Sequence, residues 1–240
     1  MMREAKKLQH SSVIIVLFSI LFLSGCTSTF FEAVPSEKAK SYEENHEIIG
    51  AEKEEMLKNL NISETIFDVS DRDNRDPEME DGYYFDVAND EEFTLPTGRY
   101  WFSGEISGNI YIYDDEGHLL IHEIIGHPGV LGFFADVDES HTIKIDGLEY
   151  AAAHMNLEIE FPSELSAGIW HVGTDIEPGS YTINSLSGFG HVIILDPNGD
   201  AQIFEMVGSQ TTSTESEINL RDGQVVRVTG ISSVEFERSG

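Results

Sequence analysis

LPTGRYWFSGEISGNIYIYDDEGHLLIHEIIG (residues 95–126) and IEPGSYTINSLSGFGHVIILDPNGDAQIFEMVG (residues 176–208) are two versions of one pattern within this chain of 240 residues. They align with one inserted residue, and their identical positions lie 81 or 82 residues apart: Gly98 with Gly179, Tyr100 with Tyr181, Asp114 with Asp196, Gly117 with Gly199, Ile121 with Ile203, Glu123 with Glu205 and Gly126 with Gly208. Weaker echoes join 82–87 to 168–173 and 156–161 to 233–238, so each unit spans about 75 to 80 residues. The sequence therefore predicts an internal duplication.

Each copy has the local features of a β-hairpin. The runs IYIY (110–113) and VIIL (192–195) favour strands, and each is followed by a turn-forming cluster, DDEG or DPNG, and by another apolar run. Further strands are predicted at 130–137, 143–145, 218–220, 225–228 and 234–236. Many short strands at close spacing are typical of all-β folds. We therefore predict an all-β body of two tandem small β-sandwich or jelly-roll-like modules, at 82–161 and 165–240, which either fold separately or share one core.

The start of the second unit resembles a known surface module. The segment VGTDIEPGSYTI (172–183) is similar to the D-I-P-A-G-x-Y pattern of mostly uncharacterised modules on lipoproteins and surface proteins of Gram-positive bacteria, and FTLPTGRYWF (93–102) is a worn copy of it. The resemblance implies display at the cell surface rather than a known reaction. The positions that the two copies share are predicted to be structural turn residues: Gly98, Tyr100, Gly117, Gly179, Tyr181 and Gly199.

The N-terminal residues have the order of a secretory signal. Basic residues precede the apolar run VIIVLFSILFL (13–23), whose eleven residues would rise only about 17 Å in a helix and are too short to span a bilayer. The following LSGC, formed by Leu23, Ser24, Gly25 and Cys26, resembles the lipobox of bacterial lipoproteins. This resemblance implies removal of residues 1–25 and a covalent diacylglycerol on Cys26. We therefore expect a protein anchored in the cell membrane by lipid and exposed on its extracytoplasmic face.

A polar segment separates the predicted anchor from the body. Residues 26–40 are interpreted as a tether, and 41–63 as a helical stalk, because Ser41 and Glu44 fit a capping box and apolar residues recur at helical spacing. Gly50 interrupts this helix, which either is solvated or leans on the body. Residues 64–81 are predicted to be an acidic linker, in which an EF-hand calcium loop starting at Asp71 lacks its required residues at three positions.

The charge balance limits the classes of partner. There are 14 Lys and Arg residues against 44 Asp and Glu residues, a formal net charge of −30. Such a chain repels nucleic-acid phosphates and anionic lipid headgroups, so no nucleic-acid partner is expected and membrane attachment depends on the lipid. The acidity is interpreted as a solvated surface, with calcium binding as the alternative.

HEIIGH (122–127) is one residue away from the H-E-x-x-H signature of zinc proteases. In that signature two histidines four apart on a helix bind one zinc ion, whereas His122 and His127 are five apart. A looser zinc or calcium site could combine His118 and His122, which share strand parity, with Glu123 or His127. Surface histidines without a metal are the preferred interpretation, and no cofactor is predicted.

The aromatic residues near the repeated turns allow a second kind of site. Tyr100, Trp101, Trp170 and Tyr181 could stack on sugars, but packing in the core or at a strand edge is preferred. The sequence contains no nucleophile elbow, phosphate loop or CxxC pair. We therefore predict a non-enzymatic binding or scaffolding lipoprotein of the cell envelope. The alternatives are a metal-binding protein or hydrolase that uses His118, His122 and His127, and a module that binds cell-wall glycan.

Overall fold

The computed structural model describes residues 35–72, 82–87, 92–155, 162–209 and 211–239. These described residues form two α-helices, α1 (Glu37–Asn45) and α2 (Ala51–Leu60), and a 3₁₀ helix at Glu64–Phe67. The strands are β1 (Tyr83–Phe85), β2 (Gly98–Glu105), β3 (Gly108–Tyr113), β4 (Leu119–Ile125), β5 (Gly132–Val137), β6 (Thr142–Asp146), β7 (Tyr150–Met155), β8 (Glu164–His171), β9 (Gly179–Asn184), β10 (Gly188–Leu195), β11 (Gln202–Gly208), β12 (Glu215–Leu220) and β13 (Val225–Arg238). Neither helix in the described ranges is long and apolar enough to cross a membrane.

The all-β body is confirmed, and its strands form two sheets. The larger sheet has ten strands and runs in the order β1-β7-β2-β5-β8-β13-β10-β11, while β9 pairs with both β12 and β13. The smaller sheet has the order β4-β3-β6. Strand pairs are antiparallel except β5 with β8, which is parallel. The short strands arise because β-branched and aromatic residues alternate with turns that contain Gly, Asp and Asn.

The same pairing pattern occurs in the first half of the body, which contains β1 to β7, and in the second half, which contains β8 to β13. In the first half, β2 pairs with β5 and β7 while β3 pairs with β4 and β6. In the second half, β9 pairs with β12 and β13 while β10 pairs with β11 and β13. Thus β13 alone makes the two pairings that β6 and β7 make separately in the first half. The register of β13 against β8 shifts between Val228 and Ser233, which is the place where the first half breaks into two strands.

The two halves are joined within one compact unit, which spans residues 37–240. The parallel contact between β5 and β8 joins them at Phe134 and Gly168. Gly168 has φ +136°, and a Cβ atom there would lie 2.3 Å from the Phe134 carbonyl oxygen. Only glycine allows this close approach of the two backbones.

The apolar core has two parts that share strands β10 and β13. One part lies between the small sheet and the large sheet and includes Ile193 and Val225, and the other lies within the second half and includes Val192 and Val226. Because alternate residues of a strand point to opposite faces, both faces of β10 and β13 are buried. This explains why VIIL is apolar throughout, whereas IYIY in β3 buries its isoleucines and leaves its tyrosines partly exposed.

The predicted helical stalk is two helices that pack against the body. The interruption predicted at Gly50 separates the two helices: Gly50 has φ +70° and precedes α2, while Ser41, the predicted capping residue, lies inside α1. Between the helices, Ile48 is buried and its N–H donates to the Ile203 carbonyl on β11 at 2.8 Å. The bridge from Glu47 to β11 therefore covers an edge strand of the large sheet, and pairing of this kind requires extended backbone rather than helix.

The described part of the predicted acidic linker, residues 64–72, is also packed on the body rather than free in solvent. Ile66 is 1% exposed and belongs to the core between the sheets. Ser63, just before it, donates to the buried carboxylate of Asp114 at 2.5 Å. Residues 73–81 lie outside the described residues. The linker prediction failed at 64–72 because the partners of this segment are far away in the sequence.

Candidate functional site

The predicted lipidation site lies outside the described residues. This applies to Cys26 and to the other lipobox residues Leu23, Ser24 and Gly25. The signal peptide and the calcium-loop candidate beyond residue 72 lie there too. Their roles stay predictions from the sequence.

The three histidines predicted as weak metal ligands have separate surroundings. His118 Nδ1 lies 3.4 Å from Asp114 Oδ2 in the turn before β4. His122 Nε2 contacts the side-chain oxygen of Asn109 at 3.0 Å, and His127 lies in the turn after β4. In the part of the chain that the structure describes, no group of three or more His, Cys, Asp or Glu residues is arranged to hold a metal ion.

A β-bulge removes the basis for placing His118 and His122 on one face. Ile112 pairs with Ile121 and the next residue of β3 pairs with Leu119, so Leu120 is an extra residue in β4. Leu120 and Ile121 are both buried as a result. The alternation between faces is interrupted at this point, and the shared parity that the sequence suggested does not hold.

The repeated tyrosines make the same hydrogen bond in both halves. The Tyr100 hydroxyl donates to the Pro96 carbonyl at 3.0 Å, and the Tyr181 hydroxyl donates to the Glu177 carbonyl at 2.8 Å. Tyr100, Trp170 and Tyr181 are buried and Trp101 is partly buried, so the buried three offer no face for a sugar. The repeated glycines begin strands or lie in turns: Gly98 and Gly179 begin β2 and β9, and Gly117 and Gly199 lie in the turns after β3 and β10.

A cleft of about 470 Å³ opens where the two halves meet, and we call it the junction cleft. Its lining residues come from β4 and the following turn and from β10 and β13: His122, Glu123, Ile124, Pro128, Gly129, Phe189, Thr229 and Gly230. Most of these are apolar, and Phe189 is 57% exposed. The junction cleft therefore combines apolar walls with one buried acidic residue, Glu123, in the size range of small-molecule sites.

Glu123 lines the junction cleft, and the hydrogen-bonding capacity of its carboxyl group is only partly satisfied. The residue is 3% exposed, and Oε2 accepts a hydrogen bond from the Gly230 N–H at 3.0 Å. Oε1 is buried and has no hydrogen-bond partner among the residues that the structure describes. Burial raises the pKa of Glu123 above its ordinary value, although the nearby charge of Arg227 and the hydrogen bonds from Thr229 and Gly230 oppose this.

Arg227 is a second buried charged residue beside the junction cleft. It is 1% exposed, and on β13 it pairs across to Ile169 and Ile193, both core residues. Within the described ranges its Nε and Nη1 atoms find no acceptor. Burial lowers the pKa of Arg227, and the charge of Glu123 opposes that shift. An arginine stays protonated even so, which makes Arg227 the countercharge to Glu123.

Four charged residues form a separate cluster that links Arg72, which follows the 3₁₀ helix, to both halves of the body. We call it the ionic cluster; its members are Arg72, Arg99, Asp136 and Asp175. Arg72 donates to Asp136 of β5 at 2.8 Å and to Asp175 of the second half at 2.5 Å. Arg99 of β2 donates to Asp136 at 2.6 Å, and its guanidinium lies 4.7 Å from the centre of the Trp170 ring. Two arginines thus balance two aspartates in a buried setting.

The charges of the arginines lower the pKa values of both aspartates in the ionic cluster. Burial alone would raise the pKa of Asp136, but Arg99 and Arg72 lower it below its ordinary value. The same competition lowers the pKa of Asp175, through its hydrogen bond with His171 and the charges of Arg99 and Arg72. Both carboxylates are therefore ionised at neutral pH and hold the halves together.

Sequence reasoning missed most of this geometry. Glu123 was considered as a repeat position and as a companion of the histidines, and neither Arg227 nor Phe189 was singled out. A charged residue inside an apolar strand run, as in VVRV (225–228), is a usable sign of a buried polar site. Asp175 is the aspartate of the surface-module pattern, but the sequence did not indicate its buried partners Arg72 and Arg99.

No protein-family model, curated protein or solved structure is significantly similar to this chain.

Proposed function

We propose that this protein is a lipid-anchored binding protein of the bacterial cell envelope, held at the extracytoplasmic face through Cys26, with the junction cleft as its ligand site. The observation that carries the second part is the buried Oε1 atom of Glu123, a residue that lines the junction cleft; this oxygen has no hydrogen-bond partner in the described ranges. A buried acceptor without a partner costs free energy, and a ligand that donates a hydrogen bond would recover it.

The geometry favours binding over catalysis. The titratable residues that line the junction cleft are His122 and Glu123, which are neighbours in β4 and so point to opposite faces. The His122 ring stacks on Tyr111, with ring centres 4.2 Å apart, so it is held away from the Glu123 carboxylate. Acid and base groups that act together must reach the same reacting atom, and this pair is not arranged to do so.

The anchor is tested by Cys26→Ser in the full chain expressed in a bacterial host. We expect this variant to remain unprocessed or to leave the membrane fraction, whereas Thr27→Ala, the matched control next to it, should be lipidated and sedimented with membranes. Mass spectrometry of the mature N-terminus measures the acylation directly. If Cys26→Ser kept the same mature mass and the same membrane retention, the anchor would have to be given up.

The ligand site is tested by ligand-observed NMR with a fragment library on the full chain. Fragments that bind at the junction cleft should lose their signal in Phe189→Ala, because that side chain forms an exposed wall of the cleft. Tyr84→Ala removes another exposed aromatic side chain that does not line the cleft, so it should leave those fragments bound. A library in which no fragment distinguishes the two variants would contradict the assignment of the ligand site.

A further inference from the structure

We infer that the ligand of the junction cleft is a neutral, hydroxyl-rich molecule of the carbohydrate class, bound with one hydroxyl on Glu123 and one apolar ring face on Phe189. The inference rests on the proposed function, since it names the ligand class for the same cleft. It is carried by the hydrogen-bonding needs of the cleft, its charge balance and its aromatic wall.

The first requirement is a donor for Glu123. Its Oε2 atom already accepts a hydrogen bond from the Gly230 N–H, and the Thr229 side chain also donates to the carboxyl group. The Oε1 atom is buried and has no hydrogen-bond partner in the described part of the chain. A ligand hydroxyl, amide or ammonium could donate a hydrogen bond to Oε1 and satisfy this buried acceptor. A hydrocarbon ligand would leave this oxygen unsatisfied.

The charge balance selects among those donors. Glu123 and Arg227 are both buried, and their side chains are of opposite charge type. Burial and the charge of Arg227 lower the pKa of His122, which keeps that ring uncharged at neutral pH. An ammonium ligand would meet the Arg227 charge without a second carboxylate, and an anion would meet Glu123. A neutral hydroxyl avoids both penalties.

The surface charge favours the same choice over an anionic polymer. The chain carries a formal net charge of −30 at pH 7. A field of that sign lowers the local concentration of anions, so polyanionic envelope polymers are poor candidates. A neutral glycan is unaffected by the field.

The wall of the junction cleft supplies the remaining specificity. Phe189 is 57% exposed, and its ring meets His191 edge to face at 5.5 Å, which orients it. Ile124, which is 44% exposed, and Pro128 are further apolar residues in the lining of the cleft. A sugar ring has an apolar C–H face and hydroxyls at its edge, so it can cover the aromatic face while donating to the acid.

The test is isothermal titration of the lipidated full chain in a zwitterionic detergent, chosen because a detergent with a sugar headgroup would compete. The probes are the neutral disaccharides chitobiose, maltose and cellobiose, with butylammonium as the cationic probe and acetate as the anionic one. We expect at least one disaccharide to bind. Glu123→Gln should weaken that binding roughly tenfold or more, because it replaces one of the two carboxyl oxygens by an NH₂ group that cannot accept a hydrogen bond.

Two aromatic variants complete the design. Phe189→Leu keeps an apolar side chain but removes the ring, and it should weaken sugar binding several-fold, whereas Tyr84→Ala should leave the affinity unchanged. Because Phe189 is exposed, Phe189→Leu should stay folded, and its affinity can be measured even if Glu123→Gln folds poorly. Circular dichroism shows whether each of these two variants is folded.

The outcomes separate the two proposals. Butylammonium or acetate binding that depends on Glu123 or Phe189, without disaccharide binding, would overturn the carbohydrate inference and leave the binding function standing. Disaccharide binding that is unchanged in both cleft variants, or that is lost in Tyr84→Ala, would also overturn the inference. Failure of every probe, together with failure of the fragment screen, would overturn both.

Discussion

Replacement of Asp175 by asparagine tests how the two halves are joined. The carboxylate is fully buried: Oδ1 accepts from Arg72 Nη1 at 2.5 Å, and Oδ2 accepts from the His171 N–H at 2.8 Å and lies 3.8 Å from Arg99 Nη1. Asparagine keeps the size but removes the charge, so Arg99, which is buried, and Arg72, which is partly buried, would share the single charge of Asp136. Breaking a buried ion pair by removing one partner costs about 3–5 kcal/mol.

The expected loss is large enough to measure directly. For a body of this size, a loss of about 3–5 kcal/mol lowers the melting temperature by roughly 6–20 °C. Urea denaturation followed by circular dichroism gives the change in the free energy of unfolding. The matched control is Glu177→Gln, which breaks the exposed pair of Glu177 with Arg238 and should change stability little, because exposed pairs contribute little.

A double variant shows whether charge imbalance is the cause. Arg72→Met combined with Asp175→Asn restores one arginine to one aspartate. The double variant should therefore lose less stability than the sum of the two single losses. If Asp175→Asn were as stable as Glu177→Gln, or if the double variant were strictly additive, the ionic cluster would not hold the halves together as argued.

Three further predictions follow from the described residues. The stability difference between the wild type and Asp175→Asn should be full above the unfolded pKa of about 3.9 and shrink as the pH falls below it, because the folded pKa of Asp175 is lowered; a difference that grew in acid, measured by urea denaturation, would contradict this sign. Gly168→Ala should cost about 2–5 kcal/mol in the same assay, because its Cβ would meet the Phe134 carbonyl oxygen and its φ is positive, so a stability like that of the wild type would disprove the tight backbone contact. Added zinc or calcium chloride should leave the melting temperature unchanged, because His118 and His122 have separate partners, and a stabilisation that His118→Ala removes would count against this.

The strands and turns were predictable because their causes are local. Asp114 and Asp196 each accept hydrogen bonds from backbone N–H groups that follow them, in turns that also contain Gly117 and Gly199. Such turn chemistry is encoded within four or five residues, and the apolar runs on either side need only the two-residue period of a strand. The all-β class follows from these features alone.

The predicted stalk, residues 41–63, shows that a local capping pattern does not by itself determine where a helix begins and ends. Ser41 and Glu44 satisfy the pattern of a capping box, yet Ser41 lies within α1, and the chain leaves the helix after Asn45. The reason is that Ile48 enters the core and pairs with β11, about 155 residues later in the sequence. The energy of burial and sheet pairing exceeds the small preferences that set helix ends.

By itself, the sequence determined the local structure of an all-β body and its repeated turns, and it predicts a lipoprotein signal in residues 1–26. Only the tertiary structure decided which charged residues are buried together, since Arg72, Arg99, Asp136 and Asp175 meet at one point although they are far apart in the chain. It also decided that Glu123 and Arg227 are buried, and that Glu123 lines a cleft. The physical reason is that burial depends on what covers a strand, and the two faces of β10 and β13 are covered by elements from opposite ends of the body.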